Sequence, residues 1–130
     1  MRLFKTKSFA AFADKNRIDD SVLIDAVMRA EKGLIDANLG SNVIKQRIAK
    51  QGQGRSSGYR SLIFYKIRGN CFFVSIFEKN DLENISQKTL DNLKKMAKMY
   101  KEDHEIVEQH IKQKTLIEIF TNKGKNDEIQ

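Results

Sequence analysis

The apolar residues of this 130-residue chain change their spacing near residue 43, and that change constrains the fold more than any other feature. Between Leu23 and Leu34 they recur at spacings of four, three and four, which predicts an amphipathic helix ending at Gly33. Beyond residue 43, the segments VIKQRIAK, GYRSLIFYKIR and CFFVSIF favour β-strands, the last two joined by a tight turn at Gly69-Asn70. A helical part is therefore followed by an antiparallel sheet, and CFFVSIF, apolar on both faces, is predicted to be a central strand.

Helical spacing also occurs near both ends of the chain. SFAAFADK favours a helix that stops at Asn16, and Ser86 is a good N-cap for a later helix, with Ile85 and Leu90 as its hydrophobic staple. EDHEIVEQHIKQK is a further candidate helix, TLIEIF a short apolar segment, and Arg2 to Lys5 a candidate strand. This order predicts an α+β fold, with a small antiparallel sheet of about four strands and a mixed edge, packed with N-terminal helices and a C-terminal helix. We expect one domain over residues 1–120 and a flexible polar tail over 121–130.

The net charge of +7 comes from a single stretch of the chain. Residues 37–77 contain no Asp or Glu, whereas Lys and Arg balance Asp and Glu in the remainder. The seven basic residues of this stretch are Lys45, Arg47, Lys50, Arg55, Arg60, Lys66 and Arg68. Because a concentrated positive potential attracts and orients a polyanion, nucleic acid is the expected partner.

Several classes of protein are disfavoured by what the chain lacks. No apolar run reaches the roughly 20 residues that span a bilayer, and charges interrupt the N-terminal apolar residues, so we expect no membrane association and a cytoplasmic location. Cys71 stands alone and is interpreted as a small residue of a strand. His104 and His110 are six residues apart, so they are interpreted as surface residues and not as a catalytic pair. We therefore expect neither a metal nor another cofactor.

The segment KQRIAKQGQGRSSGYR, residues 45–60, carries the clearest local signal of a site. Its three glycines and two serines between two strands form a loop whose backbone can approach a ligand closely, and Lys50 and Arg55 flank it. Guanidinium groups hold phosphates in a forked geometry. The segment does not match the GxxxxGK[ST] phosphate loop, and from these residues alone a nucleic-acid surface and a merely basic sheet remain equally open.

Residues 43–86 resemble the RelE-type toxins of bacterial toxin–antitoxin modules, especially their phage-associated, HigB-like branch. The resemblance is carried by the lysine and arginine strand, the GQGRSSGYR loop, the apolar hairpin and the FEKNDLENIS segment. It implies a ribosome-dependent mRNA endoribonuclease, an mRNA interferase that enters the ribosomal A site, cuts the message and thereby inhibits translation. It also implies a neutralising antitoxin, which we expect to be of the helix-turn-helix type.

The resemblance suggests roles for the basic residues. Arg60, in GYR, would bind the scissile phosphate and stabilise its transition-state charge. Lys45 would be the general base, because neighbouring cations favour the neutral form of a lysine. Lys79 would hold phosphate or support the leaving group. The predicted catalytic residues are Arg60, Lys45 and Lys79; the predicted RNA-binding residues are Arg47, Lys50 and Arg55; Lys66 and Arg68 are predicted bystanders.

The chain also departs from the best-known RelE-type enzymes. Asn80 and Ser86 stand where those enzymes carry an arginine and a tyrosine, so their acid–base assignment does not transfer. Either this branch uses a different proton-transfer set that includes Asp81 or Glu83, or cleavage relies chiefly on positioning and charge on the ribosome. Two alternatives therefore stay open: a gyrase-poisoning toxin of the ParE type, and a non-enzymatic, phage-derived protein that binds nucleic acid.

Overall fold

The structure is a computed structural model that describes residues 1–50, 58–78 and 85–121. Within these segments the chain forms six strands and four helices. In chain order they are β1 (Leu3–Thr6), α1 (Lys7–Lys15), α2 (Asp20–Glu31), β2 (Ala37–Gly40), β3 (Val43–Ile48), β4 (Tyr59–Ile67), β5 (Asn70–Glu78), α3 (Gln87–Glu102), α4 (His104–Lys112) and β6 (Leu116–Ile119). The expected polar tail lies outside the described residues from residue 122 onwards.

The sheet has the strand order β2-β3-β4-β5-β1-β6. All neighbours are antiparallel except β1 and β5, which pair in parallel. The prediction of an α+β fold is confirmed, whereas that of about four strands is wrong, because the described sheet has six. The parallel pair also lies inside the sheet and not at its edge. The strand ANLG was missed because its four residues look like a polar break, and only pairing with β3 makes them a strand.

Helices cover both faces of the sheet and bury two separate cores. On the first side, the α1–α2 face, Leu3 and Phe73 pack with α1 and α2. On the second side, the α3–α4 face, Phe4 and Phe72 pack with α3 and α4. Adjacent residues of one strand thus enter opposite cores, as strand alternation requires. The prediction that CFFVSIF is a central strand covered on both faces is confirmed.

The element boundaries follow the local capping chemistry. Asn16 is the C-cap of α1, and Gly33, with a φ of +84°, follows the end of α2 as a left-handed residue. The Ser86 hydroxyl accepts a hydrogen bond from the Thr89 amide at 3.1 Å, as its predicted N-cap role requires. These three predicted helix ends are therefore confirmed to within two residues.

The β4–β5 turn is shifted by one residue from its predicted position. Arg68 and Gly69 both have positive φ, 52° and 79°, and Ile67 pairs with Asn70. A two-residue turn with positive φ at both positions matches the right-handed twist of a hairpin. The turn is therefore centred on Arg68-Gly69, and Asn70 is already the first residue of β5.

The single cysteine of the chain lies on a central strand of the sheet. Cys71 is fully buried in β5, and burial raises the pKa of its thiol to about 11. It is a packed thiol of a strand, as predicted, and a poor nucleophile.

In the part of the chain that the structure describes, no helix has both the length and the apolar character needed to cross a membrane.

Candidate nucleic-acid interface

Two arginines stand side by side at one end of the sheet. Arg47 on β3 and Arg60 on β4 are register partners, and Phe77 on β5 is the partner of Arg60 on its other side. Strand alternation places the three on the α3–α4 face, at the end of the sheet next to residues 49–58. Cβ atoms of such partners are about 4.5–5.5 Å apart, and like charges placed opposite each other repel. The Asp36 carboxylate, 3.2 Å from Arg47 Nε, offsets part of this charge, and two guanidinium groups on one face are an arrangement that suits a phosphate.

Lys45 shares this face with the arginine pair. It lies two residues before Arg47 on β3 and is the register partner of Leu62, which places it diagonally to Arg60. Its side chain lines a small cavity of about 190 Å³. The other lining residues are Leu39, Leu62, Ile85 and Leu90. The aliphatic stem of Lys45 thus lies in an apolar setting beside two arginines, as a snorkelling lysine does.

Lys50 lies on the other face of the sheet. Its ammonium group is 5.1 Å from the centre of the Tyr59 ring and 2.9 Å from a carboxylate oxygen of Glu78. The hydrogen bond with Glu78 raises the pKa of Lys50 above its ordinary value. Tyr59 itself is buried in the core of the α1–α2 face. The structure therefore does not bring Lys50 to the arginine pair.

The other two predicted site residues are Arg55 and Lys79, and both lie outside the described residues. The same holds for Asn80, Asp81 and Glu83. Of the six predicted site residues, the structure thus brings together Lys45, Arg47 and Arg60. Lys66, predicted to be a bystander, is at the opposite end of the hairpin, where its ammonium group contacts Glu31 at 3.0 Å.

An ion-pair network that the sequence analysis missed holds the end of β3. Asp36 accepts hydrogen bonds from the Arg47 backbone N–H at 2.7 Å and from its Nε at 3.2 Å. Arg29 of α2 contacts Asp36 at 3.9 Å and Asp25 at 3.1 Å, and it donates to the Arg47 carbonyl oxygen. The Arg29 side chain is only 12% exposed, so it is a largely buried member of this network. The spacing of Asp25 and Arg29 was visible in the sequence, but the approach of Asp36 depends on the tertiary structure.

Two buried polar residues hold the strands beneath the arginines. Gln46 and Ser61, each fully buried, neighbour Arg47 and Arg60 in the chain and point to the opposite face. The Gln46 side-chain amide donates to carbonyl oxygens of Ala26 and Leu34 at 2.9 and 3.2 Å, and its oxygen accepts from the Asp36 amide. The Ser61 hydroxyl donates to the Gln46 carbonyl oxygen at 2.9 Å. Since unpaired buried polar groups are costly, the Ser61 bond ties β4 to β3, and the Gln46 bonds tie β3 to α2 and to the chain before β2. Both arginines are thereby positioned on a fixed backbone.

The two histidines lie away from the arginine pair, on α4, which packs against α3 and β6 at the far edge of the sheet. His104 is exposed and contacts Glu108 at 3.3 Å, which fits its interpretation as a surface residue. His110 is different, because its Nδ1 is hydrogen-bonded to the buried Tyr100 hydroxyl at 2.6 Å. Within the described segments, no three His, Cys, Asp or Glu side chains gather as metal ligands would.

Gly58, the residue before β4, is under strong steric constraint. A Cβ atom at this position would lie 2.0 Å from the Ile48 carbonyl oxygen and 2.9 Å from the Lys50 nitrogen. We expect Gly58→Ala to lower the free energy of unfolding by about 1–3 kcal/mol, because backbone atoms must move to admit the methyl group. Urea denaturation measures this loss, and hydrogen exchange should show faster exchange where β3 pairs with β4.

The control for this prediction is Gly33→Ala. A Cβ atom at Gly33 meets nothing within 4 Å, but the backbone there has a left-handed φ of +84°. It should cost about 1–2 kcal/mol through backbone strain alone and leave exchange at the β3–β4 pair unchanged. If Gly58→Ala preserves both the urea midpoint and the protection of that pair, the close packing of Gly58 against β3 is contradicted.

Comparison with known proteins gives one family. The family model described as the RelE toxin of the RelE/RelB toxin–antitoxin system matches residues 1–119. This range runs from the first residue to the end of β6 and therefore includes the arginine pair and every helix described above. No curated protein and no solved structure matches the chain.

Proposed function

The chain belongs to the RelE toxin family of toxin–antitoxin systems, and we propose that it is an endoribonuclease that cuts messenger RNA in the ribosomal A site and so inhibits translation. We assign it to the phage-associated, HigB-like branch, with a cytoplasmic location and a single toxin domain over residues 1–120. The observation that carries the proposal is the cross-strand pair of Arg47 and Arg60 on one face of the sheet.

The arginine pair suits a phosphate in a chain of nucleotides. Each guanidinium group offers a planar fork of donors that matches phosphate oxygens. Asp36 already accepts from the Nε and the backbone N–H of Arg47, so we assign Arg47 to holding the RNA. Arg60 lies between Arg47 and Phe77 in the row across the sheet. We assign Arg60 to the phosphate that is cut, where its charge stabilises the developing negative charge of the transition state.

The reaction that we propose consumes no second substrate, because both the nucleophile and the leaving group belong to the RNA. The 2′-oxygen forms a bond to the adjacent phosphorus while the bond from phosphorus to the 5′-oxygen breaks, which gives a 2′,3′-cyclic phosphate and a 5′-hydroxyl. One proton leaves the 2′-hydroxyl and one is delivered to the 5′-oxygen. Lys45, diagonal to Arg60, is the proposed acceptor of the first proton, and Lys79 the proposed support of the leaving group. We also propose that Lys50 and Arg55 contact the RNA. Lys50 would do so from the face of the sheet opposite the arginine pair.

Toxins of this family partner with a RelB-type antitoxin. We propose that the antitoxin of this chain is a helix-turn-helix protein that presents acidic residues to the arginine pair. Such a partner would use the same electrostatic complementarity as the RNA and would exclude it from the site. Neutralisation would then weaken as ionic strength rises, because salt screens charge pairs near the surface.

Translation in a reconstituted system, with primer extension on the message, tests this function. We expect a cut within the codon in the A site, only when ribosomes are present, and a 2′,3′-cyclic phosphate on the upstream product. A message that stays intact on ribosomes contradicts the nuclease proposal. If the message stays intact while gyrase-dependent DNA breaks accumulate, the ParE-type alternative holds. Salt-sensitive RNA binding without growth arrest would instead indicate a non-enzymatic protein.

A further inference from the structure

A second basic surface lies apart from the arginine pair, between α3 and the β2–β3 turn. It is a cleft of about 640 Å³. Four lysines line it: Lys94, Lys95, Lys98 and Lys101. The rest of the lining is Ser41, Asn42, Ala97 and Glu102. We call these residues the lysine cleft.

The charges of the lysine cleft are poorly balanced. Its one lining carboxylate, Glu102, is 3.9 Å from the Lys98 ammonium group, at the limit of an ion pair. Among the residues that the structure describes, no carboxylate pairs with the other three lysines. Like charges three or four positions apart on a helix repel by a few tenths of a kcal/mol per pair. In the free protein the lysines of the cleft therefore repel one another, and a bound polyanion would relieve that repulsion.

The β2–β3 turn, with Ser41 and Asn42, forms the wall of the lysine cleft that faces α3. Ser41 and Asn42 have φ of 53° and 66°, the left-handed conformation of a tight hairpin turn. The Asn42 side chain donates to the Tyr65 carbonyl oxygen at 3.2 Å, which fixes the turn against β4. A Cβ atom on Gly40 would lie 3.8 Å from the Lys94 ammonium nitrogen. The cleft is therefore a walled groove with a fixed turn opposite the lysines.

We propose that the lysine cleft binds the phosphate backbone of structured ribosomal RNA, as a contact separate from the arginine pair that handles the message. This inference rests on the proposed function, because the ribosome supplies that RNA. Arg47 is five residues beyond Asn42 along β3, a separation of about 16 Å at 3.3 Å per residue. A phosphate bound in the lysine cleft is therefore too far from Arg60 to be the phosphate that is cut.

The lining favours RNA over a protein partner. Protein interfaces depend on large apolar or aromatic anchors at their centre, whereas the apolar lining residue here is Ala97, which is buried. Lysine ammonium groups bind phosphates as point charges and read no sequence. Such contacts position a protein on RNA by charge and shape, which suits a helical segment of ribosomal RNA.

The test compares Lys94→Gln/Lys101→Gln with the control Lys15→Gln/Lys32→Gln. Both double variants remove two positive charges, but Lys15 and Lys32 lie at the ends of α1 and α2, on the other side of the sheet. Binding is measured to purified small ribosomal subunits over a range of salt concentrations, and to a short single-stranded message. For the cleft variant we expect about tenfold weaker binding to subunits, with binding to the message unchanged. The slope of the logarithm of the binding constant against the logarithm of the salt concentration should fall in magnitude by about 1.5.

Three outcomes overturn the proposal. If the cleft variant binds subunits like the control, the cleft does not contact ribosomal RNA. If it loses affinity equally for the free message, the cleft belongs to the message site. If it keeps subunit binding but escapes neutralisation by the antitoxin, the occupant is an acidic protein segment. Failure of the nuclease proposal is distinguishable, because a protein that binds subunits through the cleft but cuts no message supports this inference alone.

Discussion

Arg60→Gln is expected to slow cleavage of the ribosome-bound message by about 10²–10³-fold, the typical cost of removing one donor that stabilises transition-state charge. The glutamine keeps much of the side-chain length but carries no charge. It also removes one of two like charges that face each other across β3 and β4, together with the hydrogen bond from Arg60 to the Tyr59 carbonyl oxygen at 3.3 Å, so the stability of the variant is measured alongside its activity. Single-turnover cleavage, followed by primer extension, measures the effect.

The matched control is Arg68→Gln, in the turn at the other end of the same hairpin. It removes the same charge and should change the cleavage rate less than about threefold, because exposed charges beyond a Debye length are screened. Circular dichroism and the urea midpoint establish that both variants are folded. Equal slowing by the two substitutions would show that net charge, and not the placement of Arg60, governs cleavage.

Tyr100→Ala is expected to lower the free energy of unfolding by about 3–5 kcal/mol, as other truncations of large buried aromatic residues do. Tyr100 is fully buried in the core of the α3–α4 face. Its ring meets those of Phe64 and Phe72 edge-on, with centroids 5.8 and 5.1 Å apart. Its hydroxyl contacts His110 on α4 at 2.6 Å, so the residue joins both helices to the sheet. Urea denaturation measures the loss.

Two further variants separate the contributions of Tyr100. Tyr100→Phe keeps the ring and removes the hydrogen bond to His110, so it should cost only about 1 kcal/mol. Met99→Ala changes the neighbouring residue, which is 46% exposed, and should stay within about 0.5 kcal/mol of the wild type. If Tyr100→Phe costs as much as Tyr100→Ala, the hydrogen bond and not the packing of the ring dominates this core.

Local patterns predicted the parts of the fold that local chemistry controls. Ser86 caps α3 and Asn16 ends α1 because capping depends on a few neighbouring residues. The hairpin of β4 and β5 follows from two apolar strands and a short turn, although its centre is one residue earlier than predicted. The residues of β2, ANLG, by contrast, carry no apolar alternation, and β6 was recognised only as part of a short apolar segment. Their neighbours β3 and β1 make them strands.

The candidate site was predicted in part. Lys45 and Arg47 share a strand face because side chains alternate with a period of two, and this spacing is visible in the sequence. That Arg60 stands directly opposite Arg47 depends on the register of β3 and β4, which the pattern within either strand does not determine. Lys50 was grouped with them by its charge, yet its contacts with Tyr59 and Glu78 place it on the other face.

The sequence by itself determined the kind of element, the amphipathic faces, the concentration of positive charge and the family resemblance, because each of these is a property of residues near one another in the chain. Only the tertiary structure decided which charges meet. It inserted β1 between β5 and β6, brought Asp36 to Arg29 and Arg47, and placed the turn at Asn42 beside Lys94. These contacts join residues far apart in sequence, and they form only when strand pairing and the burial of two cores bring those residues together.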